Sequence, residues 1–271
     1  MLEILQYDFM QRAFLAGILI GVISPVIGVF IVLRRLSLIG DTLSHVTLAG
    51  VAAGILGGIY PVLSGMIFAV LAALGIEKLR KLYRSYEELA IPIMLSTGIG
   101  LAVVLISLVS GTNVDLFGYL FGSVMAVSGK DLFTIAIVGI IILLAIYFFF
   151  KELFYLSFDE EAARLSGIPH RFINTIFIIL VALTISLSMR VVGILLVSSL
   201  MTIPVAASLQ IANSFRKALM YAVIFSLLSV IIGILFSYLF NLATGGTIVL
   251  TSVLILILVI AGKRIYFDKN S

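Results

Sequence analysis

Nine apolar runs, joined by short polar connections, decide what this chain can fold into. They fall at about 13–33, 38–57, 61–76, 89–110, 132–150, 172–189, 191–210, 217–240 and 247–262. The stretch 14–33 holds twenty residues without a charge, enough helix to cross a hydrocarbon core of about 30 Å. Backbone groups in lipid must be satisfied within the segment or in a closed barrel, so runs of this length are read as helices. With 62% hydrophobic and 11% charged residues, the sequence describes an all-α, polytopic transmembrane helix bundle. About eight to ten membrane segments are expected, because 61–76 and 191–210 are short and 116–128 could be a re-entrant or interfacial piece. The first run is too long for a cleavable signal, and further spans follow it.

The charges orient the bundle. If the N-terminus is outside and every run crosses, fourteen of the seventeen basic residues fall on the inner side. These are Arg34, Arg35, Lys78, Arg80, Lys81, Arg84, Lys151, Arg164, Arg171, Arg216, Lys217, Lys263, Arg264 and Lys269; Arg12, Lys130 and Arg190 remain outside. The positive-inside rule therefore expects an external N-terminus and a cytoplasmic C-terminus. The net charge of +4 follows that topology and carries no nucleic-acid signal. The basic segment 77–88 is read as a topological anchor with contact to lipid head groups. The absence of cysteine excludes thiolate metal sites and disulfides.

Between residues 36 and 76, Asp41 is the only formally charged side chain. An acid at the centre of a membrane helix costs about 2.5–3.5 kcal/mol, so such a residue is a functional candidate by default. His45 follows at i+4, which places both on one helix face. A carboxylate and a neutral imidazole on one face can ligate a divalent first-row metal. The alternative is an N-cap Asp41, with His45 hydrogen-bonded to a neighbouring helix. Elsewhere, 159–166 is expected to form a short helix, with Ser157 or Asp159 as N-cap, Gly167 as its stop and Pro169 beyond. It is either a docking knob for a partner protein or a plain connector. Arg190 is expected to snorkel to the interface, with a gating ion pair as the alternative. Pro25 and Pro204 lie inside helical runs. Gly122 to Lys130 lacks phosphate-loop spacing, so the chain is not expected to hydrolyse ATP.

The signature Arg34-Arg35-Leu36-Ser37-Leu38-Ile39-Gly40-Asp41-Thr42-Leu43-Ser44-His45 closely resembles the integral-membrane permeases of zinc/manganese ABC uptake transporters. The resemblance continues through 119–123, 158–169, 191–206 and 237–249, in family order and over nearly the whole chain. It implies a single permease domain over 1–271, type II-like, with a cytoplasmic coupling segment at about 157–171. It implies a homodimer, a separate ATP-binding cassette subunit that supplies ATP hydrolysis, and an extracellular lipoprotein that delivers the metal. The cargo would be a divalent ion, zinc first and manganese next, with no permanently bound cofactor and no enzymatic activity in this chain. Asp41 and His45 would line the pathway, with Ser237 and Asn241 as further metal-site candidates. Many relatives have Asp where this chain has Asn241. Asp159, Glu160, Glu161, Arg164, Gly167 and Ile168 would contact the ATPase.

Hydropathy sets Asp41 near one end of its span and Ser237 near the other. Either 34–40 dives into the protein, or one set lies away from the metal. Competing readings are a ferrous iron or metal-chelate permease and an ion-driven secondary transporter. An intramembrane protease using Ser44 is disfavoured, because Ser44 and His45 point about 100° apart.

Overall fold

The computed structural model describes residues 7–83, 86–109 and 116–268, and all regular structure among them is helical. In chain order the helices are α1 (Asp8–Leu33), α2 (Leu38–Leu56), α3 (Pro61–Leu82), α4 (Ala90–Val109), α5 (Leu116–Phe121) and α6 (Gly129–Phe148). They continue as α7 (Phe150–Phe158), α8 (Glu160–Leu165), α9 (His170–Ser188), α10 (Val197–Ile211), α11 (Phe215–Phe240) and α12 (Thr244–Asp268). Arg84 and Lys269 of the basic inner set lie outside the described residues.

Eight of these, α1, α2, α3, α4, α6, α9, α11 and α12, are long and apolar enough to cross a membrane; α10 is shorter. In α1 and α2, 72% of the most apolar window is buried in the protein, against 17% for the α4 span, so α1 and α2 are interior helices and α4 is peripheral. From Phe14 onward α1 is free of charge on every side, as a helix without a solvent face must be, whereas α2 carries Asp41 and His45 on one face. The outer helices turn residues such as Val103, Leu108, Ile140, Leu250 and Leu258 outward, where lipid is their natural solvent.

Two expectations need correction at the start of α10. The apolar run 191–210 is helical only from Val197. Residues 189–196 form an irregular crossover whose backbone is tied to α5: Ile194 N–H donates to the Tyr119 carbonyl (2.9 Å) and Leu195 N–H to that of Leu120 (3.2 Å). Non-helical backbone is tolerated at such depth only when protein satisfies it, and Val191, Val192 and Ile194 are buried. Nor does Arg190 snorkel. Its guanidinium lies 3.5 Å from the Asp131 carboxylate and 4.1 Å from the centre of the Tyr119 ring.

Asp131, 1% exposed, also accepts from Ser128 N–H (2.9 Å), from Ser128 Oγ (2.7 Å) and from the Tyr60 hydroxyl. Burial, then the bond to Asp131, pushes the Tyr60 hydroxyl up from its ordinary value, which keeps it protonated as a donor. This network joins the starts of α3 and α6 to the crossover. Replacing one member of a buried ion pair leaves the other charge uncompensated, at a cost of about 3–5 kcal/mol. Asp131→Ala is therefore expected to lower the thermal unfolding temperature in detergent sharply, and an unchanged midpoint would show that the pair holds nothing.

At the other end of the bundle, α3 extends to Leu82, so 77–82 is helix and only the remainder of the basic segment is a loop. The connection 151–171 is two short helices. Rings of Phe30, Phe150, Phe154, Phe177 and Phe215 interlock there at centroid distances of 5.0–6.2 Å, fixing α7 against α1, α9 and α11. The fixed end of α7 holds α8 at this face. Asp159 caps α8 by accepting from Ala162 N–H (2.8 Å), and Gly167, at φ +81°, ends it. Pro25 and Pro204 lie inside α1 and α10, as the sequence predicts.

Candidate functional site

The turn between α1 and α2 is where the site begins. Arg35 takes φ +57°, Leu36 N–H returns to the Ile31 carbonyl (2.9 Å), and α2 restarts at Leu38. The Arg34 guanidinium sits 5.0 Å from the Phe177 ring and 2.5 Å from Asn174 Oδ1, which holds this end of the turn against the first two turns of α9. Residues 34–40 do not enter the protein as an irregular segment before α2, because the helix already begins at Leu38 and Arg35, Ser37 and Leu38 are exposed.

Asp41 is consequently the fourth residue of α2 and does not cap it; Ser37 holds the N-cap position and makes no side-chain cap bond. The Asp41 carboxylate instead accepts from the Ser198 hydroxyl at the start of α10. The contact is close, since a Cβ on Gly40 would lie 3.0 Å from Ser198 Cβ. The crossover thus delivers a hydroxyl to the acid from 157 positions away. His45 stands one turn above Asp41, and both are partly open at the protein surface, while Thr42, Leu43 and Ser44 between them are buried. Ser44, at i+3, flanks Asp41 on the side away from His45, and its buried Oγ has no hydrogen-bond partner. The face therefore carries a carboxylate, an imidazole and two hydroxyls in an apolar setting. Among the described residues no three His, Cys, Asp or Glu side chains gather to hold a metal, so one chain supplies two strong donors here.

Ser237 and Asn241 are elsewhere. The Ser237 hydroxyl donates to the Leu242 carbonyl (2.7 Å) and lies 3.1 Å from Thr244 Oγ1, within the α11–α12 turn. Asn241 is the left-handed C-cap of α11, at φ +52°, a backbone position that Asn tolerates better than other side chains. Both line a cavity of about 330 Å³ with α5 and 122–125, at the end where Asp131 and Arg190 lie. The structure does not bring this pair together with Asp41 and His45.

The docking candidates gather at the end of the bundle opposite Asp131. Glu161 and Arg164 are exposed beside a cleft of about 600 Å³ that also receives Glu77, Arg80 and Glu87. Glu160 accepts from Asn174 Nδ2 (3.1 Å), and Ile168 packs on the core. Leu165, 83% exposed, stands among charges, where lipid contact would not explain it. Sequence reasoning missed Ser198, Asn174 and the inward face of Arg34; the repeated arginines at 34 and 35 were the one signal available.

A helical bundle with an isolated acid–imidazole pair on an interior helix, and a capped polar helix at one end, defines a polytopic membrane protein with a polar site inside it. Residues 6–263 match the ABC 3 transport family, and the chain belongs to that family. It is similar to the manganese transport system membrane protein MntC of Listeria innocua, 36% identical over 93% of this chain and 90% of the relative. It is also similar to the high-affinity zinc uptake system membrane protein ZnuB of Haemophilus influenzae, 33% identical over 93% of this chain and 97% of the relative. Among solved structures it resembles PsaBC from Streptococcus pneumoniae in complex with Fab, with a TM-score of 0.87 and 33% identity, covering 100% of this chain and 98% of that one.

Proposed function

We propose that this chain is the membrane permease of an ABC importer for a divalent metal ion, zinc or manganese, working as a homodimer. The observation that carries this reading is the Asp41 and His45 face of α2, with Ser198 bonded to the acid. One copy brings one carboxylate and one imidazole. Two copies, facing each other across their partly open α2 surfaces, bring four donors, a number suited to a first-row metal. The hydroxyls of Ser44, buried, and Ser198, partly exposed, supply the weaker oxygens that a passing ion exchanges for water. The carboxylate favours a cation at a depth where an anion finds no compensation. Carboxylate and imidazole accept zinc and manganese alike, and the names of the relatives divide between the two metals.

In this reading α8 faces the cytoplasm and docks on a separate ATP-binding cassette subunit, which hydrolyses ATP. Asp159 caps the docking helix, Gly167 ends it, Ile168 seats it, and Glu160, Glu161 and Arg164 supply charge. The opposite end, with Ser237 and Asn241 around the outer cavity, meets an extracellular lipoprotein that brings the metal. The N-terminus is then external and the C-terminus cytoplasmic, in agreement with the basic residues at the α8 end.

The test is metal accumulation in cells carrying this chain with its ATPase and binding-protein partners, after starvation for zinc and then for manganese. Elemental analysis is expected to find one of the two ions accumulated, and only when the ATPase subunit is competent. Accumulation that survives an inactive ATPase would favour an ion-driven carrier and overturn the proposal.

A further inference from the structure

Three side chains from three parts of the sequence form an unbroken hydrogen-bonded line between α8 and the turn before α2. Glu160, the first residue of α8, accepts from Asn174 Nδ2 at 3.1 Å. Asn174, 6% exposed on α9, accepts on its Oδ1 from Arg34 Nη2 at 2.5 Å. Arg34 is the C-cap of α1, and its guanidinium is braced by the Phe177 ring. Seven residues later in the chain comes Asp41. Each member is fixed in orientation: the amide uses its donor toward the acid and its acceptor toward the arginine, and neither end can be exchanged without losing a bond. The short turn 34–37, with Arg35 in the left-handed region, leaves little slack between Arg34 and α2.

We infer that Arg34, Asn174 and Glu160 are positioning residues that transmit movement of α8 to the α1–α2 turn, and so to the helix carrying Asp41 and His45. The inference rests on the reading of α8 as the ATPase-docking segment. A displacement of α8 pulls on the buried Asn174 amide, which cannot find water in compensation. The pull therefore passes to Arg34, and the turn moves with it. The cleft beside the line gives α8 room to move. Within the cleft Arg80 lies 3.5 Å from Glu77 and 3.4 Å from Glu87, and the opposite charges of Glu77 and Arg80 act on Arg34 in opposite directions.

The experiment uses the whole transporter, this chain with its ATPase and binding protein, in proteoliposomes supplied with manganese or zinc. ATP hydrolysed and metal moved are measured together. Wild-type vesicles that move no metal would defeat the functional reading itself and would be seen in the same preparation. Given a working wild type, Asn174→Ala is expected to keep the subunits together and retain basal hydrolysis while metal moved per ATP falls about tenfold. Arg34→Lys keeps a cationic donor toward Asn174 Oδ1 and is expected to couple within about threefold of wild type, whereas Arg34→Ala matches Asn174→Ala. The double variant Arg34→Ala, Asn174→Ala is expected to be no worse than either single one, since both cut the same line. Wild-type coupling in Asn174→Ala, additive losses in the double variant, or an Arg34→Lys as uncoupled as Arg34→Ala would each overturn the relay. If Asn174→Ala does not assemble, the two Arg34 variants decide the matter alone.

Discussion

Asp41→Asn is expected to reduce metal accumulation by about 100-fold, with the protein still inserted and folded. Losing even an outer partner of a metal ligand costs roughly 10–100-fold, and here the strong donor itself is removed. The substitution is close to isosteric, and its carbonyl can still accept from the Ser198 hydroxyl, so the contact between α2 and α10 is kept. What disappears is the charge. Membrane insertion is eased rather than impaired by that loss, since a neutral amide is less costly than a carboxylate in an apolar setting. His45→Ala removes the second strong donor one turn away and is expected to act in the same direction, with its cavity near the helix surface. Ser198→Ala leaves both donors but frees the carboxylate to change rotamer, and an intermediate loss of about tenfold is expected. The measurement is elemental analysis of cells at matched expression, with thermal unfolding of the purified variants as the control for folding. Full accumulation by Asp41→Asn, at wild-type stability, would remove Asp41 from the pathway.

The readable part of this site was the part carried by local spacing. Asp41 and His45 are four residues apart, and a single helix puts them together whatever the rest of the chain does. The short helix α8 is legible for a similar reason: an Asp cap, a stop glycine and a proline within eleven residues specify it locally. Ser198 was not legible, because its meeting with Asp41 depends on how α10 crosses α2 across 157 positions of sequence. Residues 191–196 of the crossover read as helix from the sequence, since they are as apolar as those of a span. Composition cannot separate a lipid-facing helix from irregular backbone that the protein itself satisfies. Arg190 followed the same pattern. A lone arginine between two apolar runs signals the interface, and the partner that holds it, Asp131, lies 59 positions away and looks from sequence like an ordinary helix-start acid.

How α10 reaches Asp41 depends on a close crossing with α1, and Gly28→Ala is expected to damage both stability and transport. In an ordinary helix interior, Ala for Gly is favourable by about 1 kcal/mol. At this position the sign reverses. A Cβ on Gly28 would lie 1.9 Å from the Met201 carbonyl oxygen and 2.9 Å from its carbonyl carbon, both backbone atoms that no rotamer change can move away. The helices must separate instead, in a region where Phe30, Ile31 and Met201 are essentially fully buried. Overpacking of this kind costs about 1–3 kcal/mol. Ser198 is one turn before Met201, so a displaced α10 also draws the hydroxyl from Asp41. The decisive comparison is with Gly100→Ala on the peripheral α4, where a new Cβ meets nothing within 4 Å. There the propensity gain stands alone, and unchanged or slightly raised stability with full uptake is expected. The same exchange at two helical glycines thus has opposite outcomes, set by whether another backbone occupies the space. A Gly28→Ala variant with wild-type unfolding temperature and wild-type uptake would mean that α1 and α10 do not need this close approach, and that Ser198 reaches Asp41 by other means.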